Sequence, residues 1–125
     1  MTPHILEERL IDFAVMVIGI AEDLPSSRAG NHIANQLIRS GTSPAPNYGE
    51  AQSAESRQDF IHKLKVSLKE LRETLVWLKI IFRRGLGGCG EITTAIVECS
   101  ELVAIFVKST KTAEGKGDGG RDGGD

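Results

Sequence analysis

The sequence predicts an all-α protein, an antiparallel up-down-up-down four-helix bundle with a kinked second helix. Three observations carry that prediction. Apolar residues recur three and four apart in four separate stretches, which is the spacing of one face of an α-helix. Between those stretches the connections are short, and Gly and Pro gather there rather than inside them. The chain has 125 residues, 40% hydrophobic and only 5% aromatic, so its core is that of one aliphatic domain.

The first helix is expected over about residues 5–24, with Leu6, Leu10, Phe13, Ala14, Val17, Ala21 and Leu24 on its inner face. Pro25, Ser26 and Ser27 stop it and offer a cap for the next helix. The second starts near Arg28 and turns Ala29, Ile33 and Leu37 inward, together with Ala34 and Ile38. It then meets Ser40-Gly41-Thr42-Ser43-Pro44-Ala45-Pro46, where proline removes a donor and forces a break or kink before a short continuation over 45–54. The third, over about 56–84, has the strongest pattern: Ile61, Leu64, Leu68, Leu71, Leu75, Leu78 and Phe82 form an a/d seam behind a Ser56 cap. A glycine-rich turn, Gly85 to Gly90, leads to the fourth helix over about 91–108, with Ile92, Ala95, Ile96, Cys99, Leu102, Val103 and Phe106 inward. Residues 1–110 therefore make the bundle domain. Residues 111–125 are a Gly/Asp-rich tail without a large apolar side chain, and disorder is expected there.

Composition also narrows function. A formal net charge of −2 excludes a uniformly basic nucleic-acid binder but leaves room for a local basic face. Cys89 and Cys99 come without a cysteine framework or secretory signal, so both are expected as thiols in a cytoplasmic protein. The apolar run 13–21 is too short to span a bilayer, which takes about 20 residues.

Nothing in the chain spells out a catalytic or cofactor site, and a non-enzyme without metal or cofactor is expected. Asp59-x-x-His62 lacks the second carboxylate-histidine pair that a bundle metal site needs. Gly85-x-Gly-Gly-x-Gly follows a helix and lacks the Lys-Ser/Thr of a phosphate loop. Two groups of residues remain as candidates. Arg39, Asn47, Glu50 and Glu73 form a polar cluster around the kink, either a structural network that satisfies freed backbone groups or a ligand pocket. Lys65, Lys69, Arg72, Lys79 and Arg83 form a basic edge on the third helix, which carries eight basic and three acidic residues from Arg57 to Arg84. That edge is either a solvated face or a contact for RNA or another anion.

Apolar residues are also in surplus. Ile11, Val15 and Ile18 make a second stripe on the first helix, and Val66, Val76, Trp77 and Ile80 lie off the seam of the third. Either the core face is wide, or these side chains are buried between subunits of a homo-oligomer.

Taken in order, Gln36-Leu37-Ile38-Arg39-Ser40, Ser43-x-x-x-Asn47-Tyr48-x-Glu50-Ala51, Ser56-x-x-Asp59-Phe60-Ile61-x-Lys63-Leu64 and Glu70-Leu71-x-Glu73-Thr74-x-x-Trp77-Leu78 resemble the bacterial 23S rRNA-intervening-sequence proteins. The resemblance covers about residues 5–110. It implies a bacterial protein, four antiparallel helices and a ring-like homopentamer, while an RNA partner is expected only from the basic edge and a protein partner only from reading the bundle as a scaffold or adaptor. It extends to the accessory variability proteins of diversity-generating retroelements, which are basic pentamers, whereas this chain is acidic. Pro44 stands where many members carry an aliphatic residue.

Overall fold

The computed structural model describes residues 1–88 and 90–117, except for the side chain of Lys116. Its helices are α1 (Pro3–Glu22), α2 (Arg28–Thr42), α3 (Pro44–Gln52), α4 (Arg57–Arg84) and α5 (Ile92–Gly117). No strand occurs among the described residues. Because α2 and α3 are two arms of one bent helix, the domain is a four-helix bundle.

Capping side chains set the starts. The Thr2 and Ser27 hydroxyls accept from the Ile5 and Gly30 amides at 3.1 and 3.0 Å, and Ser56 accepts from Asp59 at 3.0 Å. Helix α4 ends at Gly85, whose φ of 71° places it in the left-handed region, and its amide closes the last turn onto Ile81. At the expected kink the chain bends without leaving helical geometry: Ser43 keeps φ −71° and ψ −37°, and Pro44 starts α3, where its missing N–H costs least. The Asn47 side-chain amide donates to the Ser43 carbonyl at 3.0 Å and to its hydroxyl at 2.9 Å.

Neighbouring helices meet in opposite residue order. Val17 lies against Gly41 and Glu7 near Gly49, while Thr74 meets Ser40 and Lys63 meets Glu50. Cys99 meets Leu71, and Arg57 reaches the Ala113 carbonyl. This order is consistent with up-down-up-down alternation. The bent α2/α3 and α5 both pack on α1 and on α4, whose own backbones do not approach each other among the described residues.

The core follows the apolar spacing with one shift. Leu6, Leu10, Phe13, Val17, Leu37, Leu64, Leu71, Leu78, Ala95, Cys99, Leu102 and Phe106 are buried as expected. On α4, however, the innermost stripe is Leu64, Ser67, Leu71, Thr74, Leu78 and Ile81. Ile61, Leu68 and Leu75 flank it half-buried, and Phe82 is 54% exposed. The expected seam took every leucine and passed over Ser67 and Thr74. Their small hydroxyl side chains fit beneath the bend, where they find partners in the Pro44 carbonyl at 3.4 Å and the Ser40 hydroxyl at 2.8 Å. On α2, Ala29 and Ile38 point out, and Gly30, Ser40 and Gly41 are buried instead.

Helix α5 also runs further than expected. Residues 111–117 continue α5: Ala113 is buried, its carbonyl accepts from Arg57 at 3.2 Å, and Glu114 pairs with Lys65 at 2.7 Å. A small alanine and two polar contacts hold a turn that carries no large apolar residue. Residues 118–125, the rest of the expected tail, lie outside the described residues, as does Cys89.

The shifted seam is open to measurement. Leu71→Ala removes a fully buried side chain and should lower unfolding free energy by about 2–5 kcal/mol. Phe82→Ala, at the nominal end of the same sequence pattern, should cost less than about 0.5 kcal/mol. Urea denaturation of both variants checks this, and equal losses would return Phe82 to the core.

Candidate functional site

The five basic side chains singled out in the sequence do share one face. Lys65, Lys69, Arg72, Lys79 and Arg83 are all exposed along the outside of α4, at steps of three, four or seven residues. Lys65 is drawn to Glu114 on α5. The other four make no ion pair with any described residue. The exposed Val76 sits among them, 56% accessible. From Lys69 to Arg83 the face is therefore a strip of positive charge without an ion-pair partner among the described residues, with an apolar centre.

The polar cluster is divided. Arg39, at the side of α2, donates to Glu70 at 3.2 Å, to Gln36 at 2.9 Å and to Glu73. Glu73 also accepts from the Trp77 indole at 3.1 Å, and His32 meets the Trp77 ring edge-on with centroids 5.9 Å apart. Asn47 is occupied with Ser43 inside the bend. Glu50 is elsewhere, 2.6 Å from Lys63, whose pKa that contact raises. Within the cluster, Arg39 bridges to Glu73 and not to Glu50. These groups therefore serve separate contacts along the α2/α3–α4 seam, and only Arg39 and Glu73 pair with each other.

A further charged group was not visible in the sequence. Arg9 of α1 donates to both carboxylate oxygens of Glu98 of α5, from Nε at 2.7 Å and from Nη2 at 2.8 Å, and the same Nη2 reaches Glu101 at 2.6 Å. The hydrogen bond to Glu98 raises the Arg9 pKa further above its usual value, against partial desolvation. The partners are so far apart in the chain that no local spacing announces them.

Groups with reactive chemistry are few among the described residues. No three His, Cys, Asp or Glu side chains converge as a metal-binding group. Cys99 is fully buried and its thiol donates to the Leu71 carbonyl at 3.2 Å; burial pushes its pKa up to about 12. Burial and the Glu7 charge likewise raise the pKa of Tyr48, which packs edge-on against Phe106. An open groove of about 900 Å³ lies where the α3–α4 turn meets the end of α5, lined by Gln52, Arg57, Phe60, Lys108 and Thr112 among others. Its titratable side chains are one carboxylate, Glu55, and the basic Arg57 and Lys108, with no histidine, cysteine or second carboxylate beside them. No described helix is long and apolar enough to cross a membrane.

Outside the core, exposed apolar residues are concentrated on the outward sides of helices. Ile11, Val15 and Ile18 line α1, Val76 and Ile80 lie on α4, and Val97 lies on α5. Of the four surplus residues expected on α4, Val66 and Trp77 are half-buried against their neighbours.

Bundle and surface together define a small all-α protein whose distinctive features are outward faces rather than an enclosed centre. Residues 5–108 match the family described as 23S rRNA-intervening sequence protein, and the chain belongs to that family. Its fold is similar to the 1.70 Å crystal structure of a protein of unknown function from the S23 ribosomal protein family of Bacteroides thetaiotaomicron. The TM-score is 0.79 at 29% identity, covering 89% of this chain and 99% of the other. No curated protein matches the sequence.

The buried thiol predicts a pH dependence. Its pKa is raised in the folded state, so the associated stability is complete below the unfolded value of 9.0 and declines as pH rises towards about 12. Stability curves for wild type and Cys99→Ala should run parallel up to about pH 9 and converge above it. A constant difference across that range would show that the thiolate is tolerated inside.

Proposed function

We propose that this protein is a cytoplasmic, self-assembling helical scaffold that performs no chemistry of its own. One observation supports this above others: apolar stripes remain outside a core that is already complete. Ile11, Val15 and Ile18 on α1 and Val76 and Ile80 on α4 are 39–64% exposed. Full burial of such a side chain contributes about 1.5–3 kcal/mol, so covering these five half-exposed ones yields roughly 4–8 kcal/mol. Association costs an estimated 4–15 kcal/mol, and apolar burial alone therefore meets only the lower part of that range. Charge pairing, or closure of a ring, has to supply the rest. The family resemblance suggests five subunits in a ring.

A second reading, RNA contact, is favoured by the unpaired charges of Lys69, Arg72, Lys79 and Arg83, with Lys65 at the end of the strip. A small-molecule site built from Arg39, Asn47, Glu50 and Glu73 has less support, because those groups are separated and already paired.

Light scattering coupled to size-exclusion chromatography should give a multiple of the 13.5 kDa chain mass. Ile18→Lys combined with Ile80→Lys should reduce it to one chain with helical circular dichroism retained. Wild-type protein running at 13.5 kDa would refute self-assembly, and any other multiple would refute only the number five.

For RNA, reversing the charge of Lys69, Arg72 and Lys79 should weaken binding to a 23S rRNA fragment. Wild-type affinity should fall steeply as salt rises, since each phosphate contact releases counterions. Absence of binding at low salt would remove this reading.

A further inference from the structure

The outward faces of α1 and α4 follow one plan with opposite charge. On α1, Glu8, Ile11, Val15, Ile18 and Glu22 succeed one another at steps of four and three, and all are exposed. They form a second helical stripe, apolar in the middle and acidic at both ends, with exposed Asp12 beside it. On α4, Lys69, Arg72, Val76, Ile80 and Arg83 form a matching stripe, apolar in the middle and basic at both ends, with Lys79 beside it. Glu8 to Glu22 and Lys69 to Arg83 are each fourteen residues apart, about 21 Å at a rise of ~1.5 Å per residue. Among the described residues, none of these seven charged side chains makes an ion pair inside the subunit.

The two stripes cannot meet within one subunit. Helices α1 and α4 stand at opposite corners of the bundle, each flanked by α2/α3 and α5, and their outer faces point away from each other. Nor does either stripe suit its own copy across a two-fold axis, because that would oppose like charges.

We infer that the outward face of α1 on one subunit docks on the outward face of α4 on the next, in a head-to-tail contact between copies of this chain. The inference rests on the self-assembly proposed above and specifies its interface. Glu8 and Glu22 lie against the basic ends of the neighbouring α4 stripe, and Ile11, Val15 and Ile18 cover Val76 and Ile80. Every subunit uses each face once, so the contact propagates in one direction and closes into a ring if the rotation permits. It also gives the basic face to a protein neighbour rather than to RNA.

Charge exchange tests the pairing. Glu8→Lys with Glu22→Lys puts a cation at each outer end of the α1 stripe, and Lys69→Glu with Arg83→Glu puts a carboxylate at each outer end of the α4 stripe. By light scattering, each double variant alone should run at 13.5 kDa. Mixed in equal amounts they should associate, because each then offers the other an opposite face, and a chain carrying all four substitutions should regain the wild-type mass. A variant that merely misfolds would not be repaired by its counterpart, which keeps the test decisive. Wild-type protein that is itself monomeric would overturn the self-assembly reading, and this interface with it. Wild-type assembly that survives either double variant leaves self-assembly standing and overturns this interface. Assembly that survives Lys69→Glu with Arg83→Glu while binding to a 23S rRNA fragment is lost would assign the basic face to RNA.

Discussion

At the bend, Gly41 lies so close to α1 that a β-carbon on it would sit 2.5 Å from a Val17 methyl. On the opposite side, the Ser40 and Thr74 hydroxyls are 2.8 Å apart, and Thr74 donates to the Glu70 carbonyl at 2.8 Å. A hydroxyl has a single proton, so Ser40 is the donor between the two. Pro44 compels the bend, since its ring clashes with the carbonyl one turn back and it has no N–H to give. The bend brings the joint between α2 and α3 down onto its neighbours. Only small residues fit there, and the hydroxyls among them need one another or a backbone carbonyl because water is excluded.

This small-residue waist determines what the rest of α4 can do. With Ser67 and Thr74 facing the joint, the stripe through Leu64, Leu71 and Leu78 becomes the centre of the buried face. Leu68 and Leu75 fall to its side, Ile81 turns inward and Phe82 is left in solvent. The same rotation carries Lys69, Arg72, Val76 and Arg83 to the outside as one uninterrupted strip. A wider apolar residue at 67 or 74 would force the helices apart and turn α4, so the outward face depends on two buried hydroxyls.

Helix positions and most of the core were legible because apolar periodicity reports the buried side of a helix directly. What escaped were residues whose chemistry points one way and whose location points the other. Ser67 and Thr74 look like surface residues, and nothing local says that a carbonyl and a hydroxyl wait opposite them. Phe82 looks like core, and the end of its helix leaves it uncovered. Around the kink, Arg39, Asn47 and Glu50 serve three separate contacts, because a bend spreads its neighbours along the helix instead of gathering them. Arg9 with Glu98 and Glu101 was beyond reach, since only the packing of α1 on α5 brings them together. The outward stripes were partly legible: the surplus isoleucines and valines and the basic edge could each be seen, but not that they belong to opposite corners of the bundle.

Net charge concealed that relation. A formal value of −2 suggests a nearly neutral surface, although α1 carries Glu7, Glu8, Asp12 and Glu22 against a single arginine while α4 carries eight basic residues against three acidic ones. Averaging over the chain cancels two large and separate terms. Their separation has a physical consequence. Opposite charges at adjacent corners would neutralise one another inside the subunit, as Arg9 does with Glu98 and Glu101 across α1 and α5. Charges at opposite corners cannot, and at physiological salt a Debye length of about 8 Å screens them from each other through solvent. Their interaction energy therefore stays unused in the isolated subunit and is available only to something that comes from outside. Because the acidic and basic strips have equal length and each encloses an apolar centre, a second copy of the chain matches both charge and apolar pattern, whereas a phosphate backbone would match charge alone and leave Val76 and Ile80 against a polar partner.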